Sequence, residues 1–250
     1  MSISRLALYS LSMCRINIRE RIPKMIPIML VTIITLVVNY KLMWVEDNSY
    51  VGALVYLNGG CDIESTTLLQ ILVGLFRYVG IMYVCLGFIE NMYSLKSQFL
   101  LIRIRRKEIY DFVNMLSCAM ICVIMSVVYD VVNAFMCVLK YGNCDFAKTG
   151  IIVLYNVVGV LGMLAVVFAV FRLSCNIAVS VLLAVAILFL GFNSVAGFAN
   201  TLCLGNFVMI GNLKEFGGSV TSVEFLLKNL IYVVVFFGVS KIATVKSIYR

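Results

Sequence analysis

The chain has 250 residues, 63% of them apolar and 13% charged, with a formal charge of +8 and no histidine. A soluble domain is about 45–50% apolar and about 25% charged, so a water-exposed fold of this size is excluded and the bilayer is the natural solvent. The missing histidine excludes imidazole acid–base chemistry and histidine-ligated zinc or haem. The apolar runs are continuous rather than alternating, which reads as spanning helices and not as an outer-membrane barrel. The expected fold class is therefore all-α: a polytopic membrane protein with six transmembrane helices, an N-terminal amphipathic interfacial helix and both termini cytoplasmic.

Residues 1–24 read as a separate element, followed by a six-helix transmembrane domain over 25–250. In this first segment Ile3, Leu6, Leu8, Leu11, Ile16 and Ile18 mix with Arg5, Arg15, Arg19, Arg21 and Lys24. The pattern suits a basic helix lying among cytoplasmic headgroups; the plainer reading is a solvated leader that sets topology. A long basic segment before the first apolar run, with no small-residue cleavage site after it, argues against a secretory signal peptide. Pro23 and Pro27, the only prolines, bracket the entry to the first span at 25–43, and Trp44 suits its far interface.

The first outside loop, about 45–66, carries Glu46, Asp47, Asp62 and Glu64 and no basic residue. Span two is expected at 67–89 and contains Arg77, with Gly74, Gly80 and Gly87 allowing close helix approach. The segment 90–110, ENMYSLKSQFLLIRIRRKEIY, is both basic and apolar. Lys96, Arg103, Arg105, Arg106 and Lys107 supply the charge, and Phe99, Leu100, Leu101, Ile102 and Ile104 the apolar surface. It reads as a short surface helix, either holding anionic lipid headgroups or docking into a cytoplasmic partner.

Span three, at 111–139, is longer than a bilayer requires and contains Asp130. Its start projects into the cytoplasm, or the helix tilts. A short outside turn precedes span four at 150–171; a tight inside turn with Arg172 precedes span five at 175–198. The stretch 199–222, rich in Asn and Gly, is too short and polar for two spans. It reads as a re-entrant hairpin covered by protein or as an ordinary outside loop. Span six is expected at 226–245. In this topology fourteen basic residues lie inside against five outside, Lys41, Lys140, Lys148, Lys214 and Lys228, as the positive-inside rule requires.

Catalytic signatures are missing. The chain has no GxxxxGK[ST], HExxH or GxSxG sequence, so neither nucleotide hydrolysis nor a metal centre is expected of it. The nine cysteines form no CxxC pair. Cys85, Cys118, Cys122 and Cys137 read as apolar packing residues, while Cys61 and Cys144 fall in outside loops where a disulfide is conceivable. Arg77 and Asp130 are the charges around mid-span, in adjacent helices. Intramembrane charges are paired or face a cavity, so the two are expected to pair, either locking two helices or lining a substrate path.

This layout resembles the permease subunit of an ABC-2-type ABC transporter, and the small size resembles permeases of bacteriocin and lantibiotic immunity exporters. The segment that carries the likeness best is SLKSQFLLIRIRRKEIYDFVN, at 94–114. The resemblance implies a coupling helix there, with Lys96, Phe99, Leu100, Arg103, Arg105, Arg106 and Lys107 seated on a cytoplasmic ATP-binding subunit, present in two copies. It also implies a second permease chain, identical or paralogous, and export of an amphipathic or hydrophobic substrate such as an antimicrobial peptide. ATP and magnesium would sit on the partner ATPase, with no cofactor on this chain and no nucleic acid bound. The alternatives are a non-transporting scaffold or sensor and an ion-coupled secondary transporter, which usually needs more intramembrane acids than Asp130 alone.

Overall fold

A computed structural model of the chain describes residues 3–42, 50–58, 68–92, 107–174, 176–192, 213–216 and 220–247, together with Val208 and Gly211. Every long element among them is helical; the one sheet-like feature is an isolated bridge between Leu213 and Val220. The helices are α1 (Ile3–Leu42), α2 (Tyr50–Asn58), α3 (Leu68–Gly74), α4 (Gly80–Met92), α5 (Lys107–Tyr141), α6 (Phe146–Ser174), α7 (Ile177–Phe192) and α8 (Ser222–Ser247). A π-helical turn, Leu75–Val79, joins α3 to α4 in one rod.

Among the described residues, three helices are long and apolar enough to cross a membrane, over Ile18–Val38, Phe112–Tyr141 and Phe146–Ser174. Shorter apolar stretches cover Ile71–Gly87 and Ile177–Phe189. The burial pattern is that of a bilayer solvent. Ile26, Leu30, Ile34 and Val38 on α1 face outward, as do Val131, Phe135 and Leu139 on α5, while Arg77, Asp130, Asn133 and Asn156 are buried. In water this arrangement would be inverted.

Two expectations meet a different structure. No break separates 1–24 from the first span: α1 is one 40-residue helix with both prolines inside it, about 60 Å long at 1.5 Å per residue. Pro23 and Pro27 lie one turn apart on an exposed part of the helix, so their missing N–H groups interrupt one side only. The first outside loop, in turn, contains α2. Its sequence, YVGALVYLN, is apolar enough to be drawn against α5 and α6, and Tyr50, Ala53, Leu54 and Val55 are buried.

Local signals set the helix ends. The Asp145 side chain accepts from the Lys148 N–H at 3.1 Å and caps α6. Gly142, at φ +70°, closes α5 in the left-handed conformation, its N–H bonding Val138 O at 2.9 Å. Thr221 and Glu224 form a reciprocal capping box at the start of α8. The Thr221 N–H and hydroxyl donate to Glu224 Oε2 at 3.1 and 2.9 Å, and the Glu224 N–H returns to Thr221 Oγ1 at 3.3 Å.

The main core joins α1, the π turn, α4, α5, α6 and α7. A second core joins α2, the ends of α5 and α6 that meet at their short connection, Leu213, Val220 and Phe225. Of the described apolar residues of the 199–222 stretch, Val208, Leu213 and Val220 are buried and Phe216 is half-buried against the second core. The stretch therefore packs into the bundle at these points; residues 199–207, 209–210, 212 and 217–219 lie outside the described residues.

Candidate functional site: a buried ion pair and its amide partners

On α5 the buried residues Asn114, Cys118, Ile121, Met125, Tyr129, Asn133 and Cys137 follow one another at spacings of three or four. That is one helix face, and Asp130 shares it, 1% exposed. Opposite stands Arg77, 2% exposed, at the centre of the π turn. Wide π turns are rare and concentrate at functional positions. Arg77 Nη2 donates to Asp130 Oδ1 at 2.6 Å, so the two mid-span charges are paired as expected.

Other groups complete the surroundings. Arg77 Nη1 donates to Asn58 Oδ1, delivered by the end of α2. The Asn58 amide in turn donates to Leu54 O at 2.8 Å, which orients it. The guanidinium lies over the Tyr129 ring at 4.2 Å and near the Tyr78 ring at 4.9 Å from their centroids, distances at which a ring face attracts a cation. Across the site, Asn156 Nδ2 on α6 donates to the same Asp130 Oδ1 at 2.9 Å. Four helical segments, α2, the π turn, α5 and α6, thus converge on one neutral pair.

Three polar atoms here are buried with no hydrogen-bond partner among the described residues: Arg77 Nε, Asp130 Oδ2 and Asn156 Oδ1. Arg77 also borders a small void of about 10 Å³, with Thr32, Met125 and Tyr129, room for about one water molecule. No cluster of histidine, cysteine or acidic residues able to hold a metal ion occurs among the described residues. The chemistry open to this site is charge compensation, hydrogen bonding and proton exchange.

Lys96, Phe99, Leu100, Arg103, Arg105 and Arg106 lie outside the described residues, and Lys107 begins α5. Cys61 also lies outside them, while Cys144 is a free thiol 3.7 Å from the Tyr50 hydroxyl. Cys85, Cys118, Cys122 and Cys137 are buried packing residues, and Cys85 and Cys118 each point at the other's carbonyl at 3.6 Å.

Sequence reasoning missed Asn58, Asn156 and Tyr129. Asn156 interrupts the apolar run IIVLYNVVGV, and a polar residue inside a span usually bonds across helices; that signal was present. Asn58 was hidden by reading its segment as a loop. No protein-family model matches the chain, and neither a curated protein nor a solved structure shows detectable similarity to it.

Proposed function

We propose that the chain is the membrane-spanning, non-catalytic subunit of an ABC-type ATP-driven exporter. In this reading six spans cross a bacterial plasma membrane with both termini in the cytoplasm. Two ATP-binding subunits dock below and a second permease chain lies beside this one. The cargo is amphipathic or hydrophobic, such as an antimicrobial peptide or a lipid-like molecule.

The observation that carries the reading is the continuity of α5. The helix starts at Lys107, the last basic residue of the 90–110 docking segment, and runs unbroken through Asp130 to Tyr141. Displacement of the docking segment would reach the ion pair along a single rod of about 35 Å. Coupling of this kind needs a rigid element with two arrangements at its far end, and an ion pair joining separate helices offers a contact that can be made or broken.

The test is purification of the tagged chain in gentle detergent with an ATPase assay of what accompanies it. A stoichiometric ATPase that is lost when Arg103, Arg105 and Arg106 become Glu is the expected result. A chain that purifies without a nucleotide-dependent partner would sink the exporter reading and favour a scaffold.

A further inference from the structure

The two bare oxygens at the ion pair belong to groups that already face each other. Asp130 Oδ1 accepts from Arg77 and from the Asn156 amide nitrogen. The other carboxyl oxygen, Oδ2, and the other end of the same amide, Asn156 Oδ1, are both acceptors with nothing to accept from among the described residues. A carboxylic acid and a primary amide that share one N–H···O bond close a ring when the acid carries its proton, through an O–H···O=C bond on the other side. One proton on Oδ2 satisfies both orphaned acceptors.

We propose that Asp130 and Asn156 form a proton-binding site. The proton comes from the aqueous phase and binds Asp130 Oδ2, which donates it to Asn156 Oδ1; no covalent bond within the chain breaks. Asp130 becomes neutral, and its contact with Arg77 changes from an ion pair to a hydrogen bond between a cation and a neutral oxygen. Arg77 keeps Asn58 Oδ1 and the faces of Tyr129 and Tyr78, which hold the cation while the carboxylate charge is absent.

A metal cation fits the site poorly. Arg77 already neutralises the carboxylate, and sodium-like or calcium-like ions need several oxygens around them, where two bare acceptors, Asp130 Oδ2 and Asn156 Oδ1, stand together among the described residues. The charged or titratable groups that face Asp130 are Arg77 and Tyr78 on the π turn and Tyr129 on its own helix. The other elements at the site contribute uncharged groups: Thr32 from α1, Asn58 from α2 and Asn156 from α6. The site stands independently of the exporter reading.

The experiment is infrared difference spectroscopy of the full chain in lipid nanodiscs, with carbon-13-labelled aspartate, between mildly alkaline and mildly acidic buffer. A labelled, protonated-carboxyl C=O band should grow on acidification and be lost in Asp130→Asn, whose new amide donates to Asn156 Oδ1 in place of the proton. In Asn156→Ala, which keeps the ion pair, the band should move to higher frequency because the acid loses its amide partner. If Asp130→Asn fails to fold, the Asn156→Ala shift decides alone. The absence of an acid-induced aspartate band, a band that is the same in wild type and Asn156→Ala, or one that survives in Asp130→Asn would overturn the proposal.

Discussion

Arg77 is held by a carboxylate, an amide and two aromatic rings, and each loses something different if it is removed. Breaking a buried ion pair by deleting one partner typically costs about 3–5 kcal/mol, because the other charge stays buried and uncompensated. The two deletions should not be equal. A stranded guanidinium stays charged under all ordinary conditions, whereas a stranded carboxyl escapes by taking up a proton. Asp130→Leu should therefore lower the unfolding midpoint in detergent further than Arg77→Met. The double variant Arg77→Met with Asp130→Leu should recover most of the loss. A double variant as unstable as the worse single one would show that the residues act separately.

At the scale of elements, two glycines of α6 let neighbouring segments approach closely. Cβ atoms at Gly159 and Gly162 would meet different obstacles. At Gly159 the obstacle is backbone, with Val208 O at 2.7 Å from the added carbon. At Gly162 it is the Asn229 side chain, whose amide donates to Phe225 O at 2.9 Å. Forcing extra carbon into a packed contact costs about 1–3 kcal/mol. Gly159→Ala should be destabilising whatever stands at position 229, while Asn229→Ala should relieve Gly162→Ala, as read by thermal unfolding of the single and double variants.

The capping box of α8 adds a pH dependence at the same scale. Hydrogen bonds from the Thr221 N–H and hydroxyl hold the Glu224 carboxyl below its ordinary range. A carboxyl depressed in the folded state contributes stability above its unfolded pKa and loses it as pH falls through the folded one. Protection of the first-turn amides of α8 against hydrogen exchange should fall over that acid window. In Glu224→Gln the same amides should show no such step.

At the scale of the whole molecule, helical content and the outward apolar faces were legible because composition alone demands a bilayer. The Arg77–Asp130 pairing was legible because so few charges compete for partners inside apolar runs. What could not be read was which neutral groups surround the pair. Asn58 sits at the end of a nine-residue helix too short to cross a bilayer and set in a stretch with four acidic residues, and only tertiary packing brings it to Arg77. The unbroken α1 was also missed. Proline in a helix interior is unfavourable by about 3 kcal/mol, and the packing of α1 against α5, α3 and α4 outweighs that local preference.

The connection between α5 and α6, closed by Gly142 and Asp145, bears on how the protein is made. Asp130 and Asn156 occupy the two arms of one hairpin, whereas Arg77 belongs to the rod before it. A ribosome produces the arginine first, the carboxylate next and the amide last. A nascent chain that stops between Arg77 and Asp130 holds the cation without the carboxylate that pairs with it, and one that stops before Asn156 holds the pair without its amide. The network closes only once α6 has been made, so synthesis of that helix, rather than of the charges themselves, completes the interior.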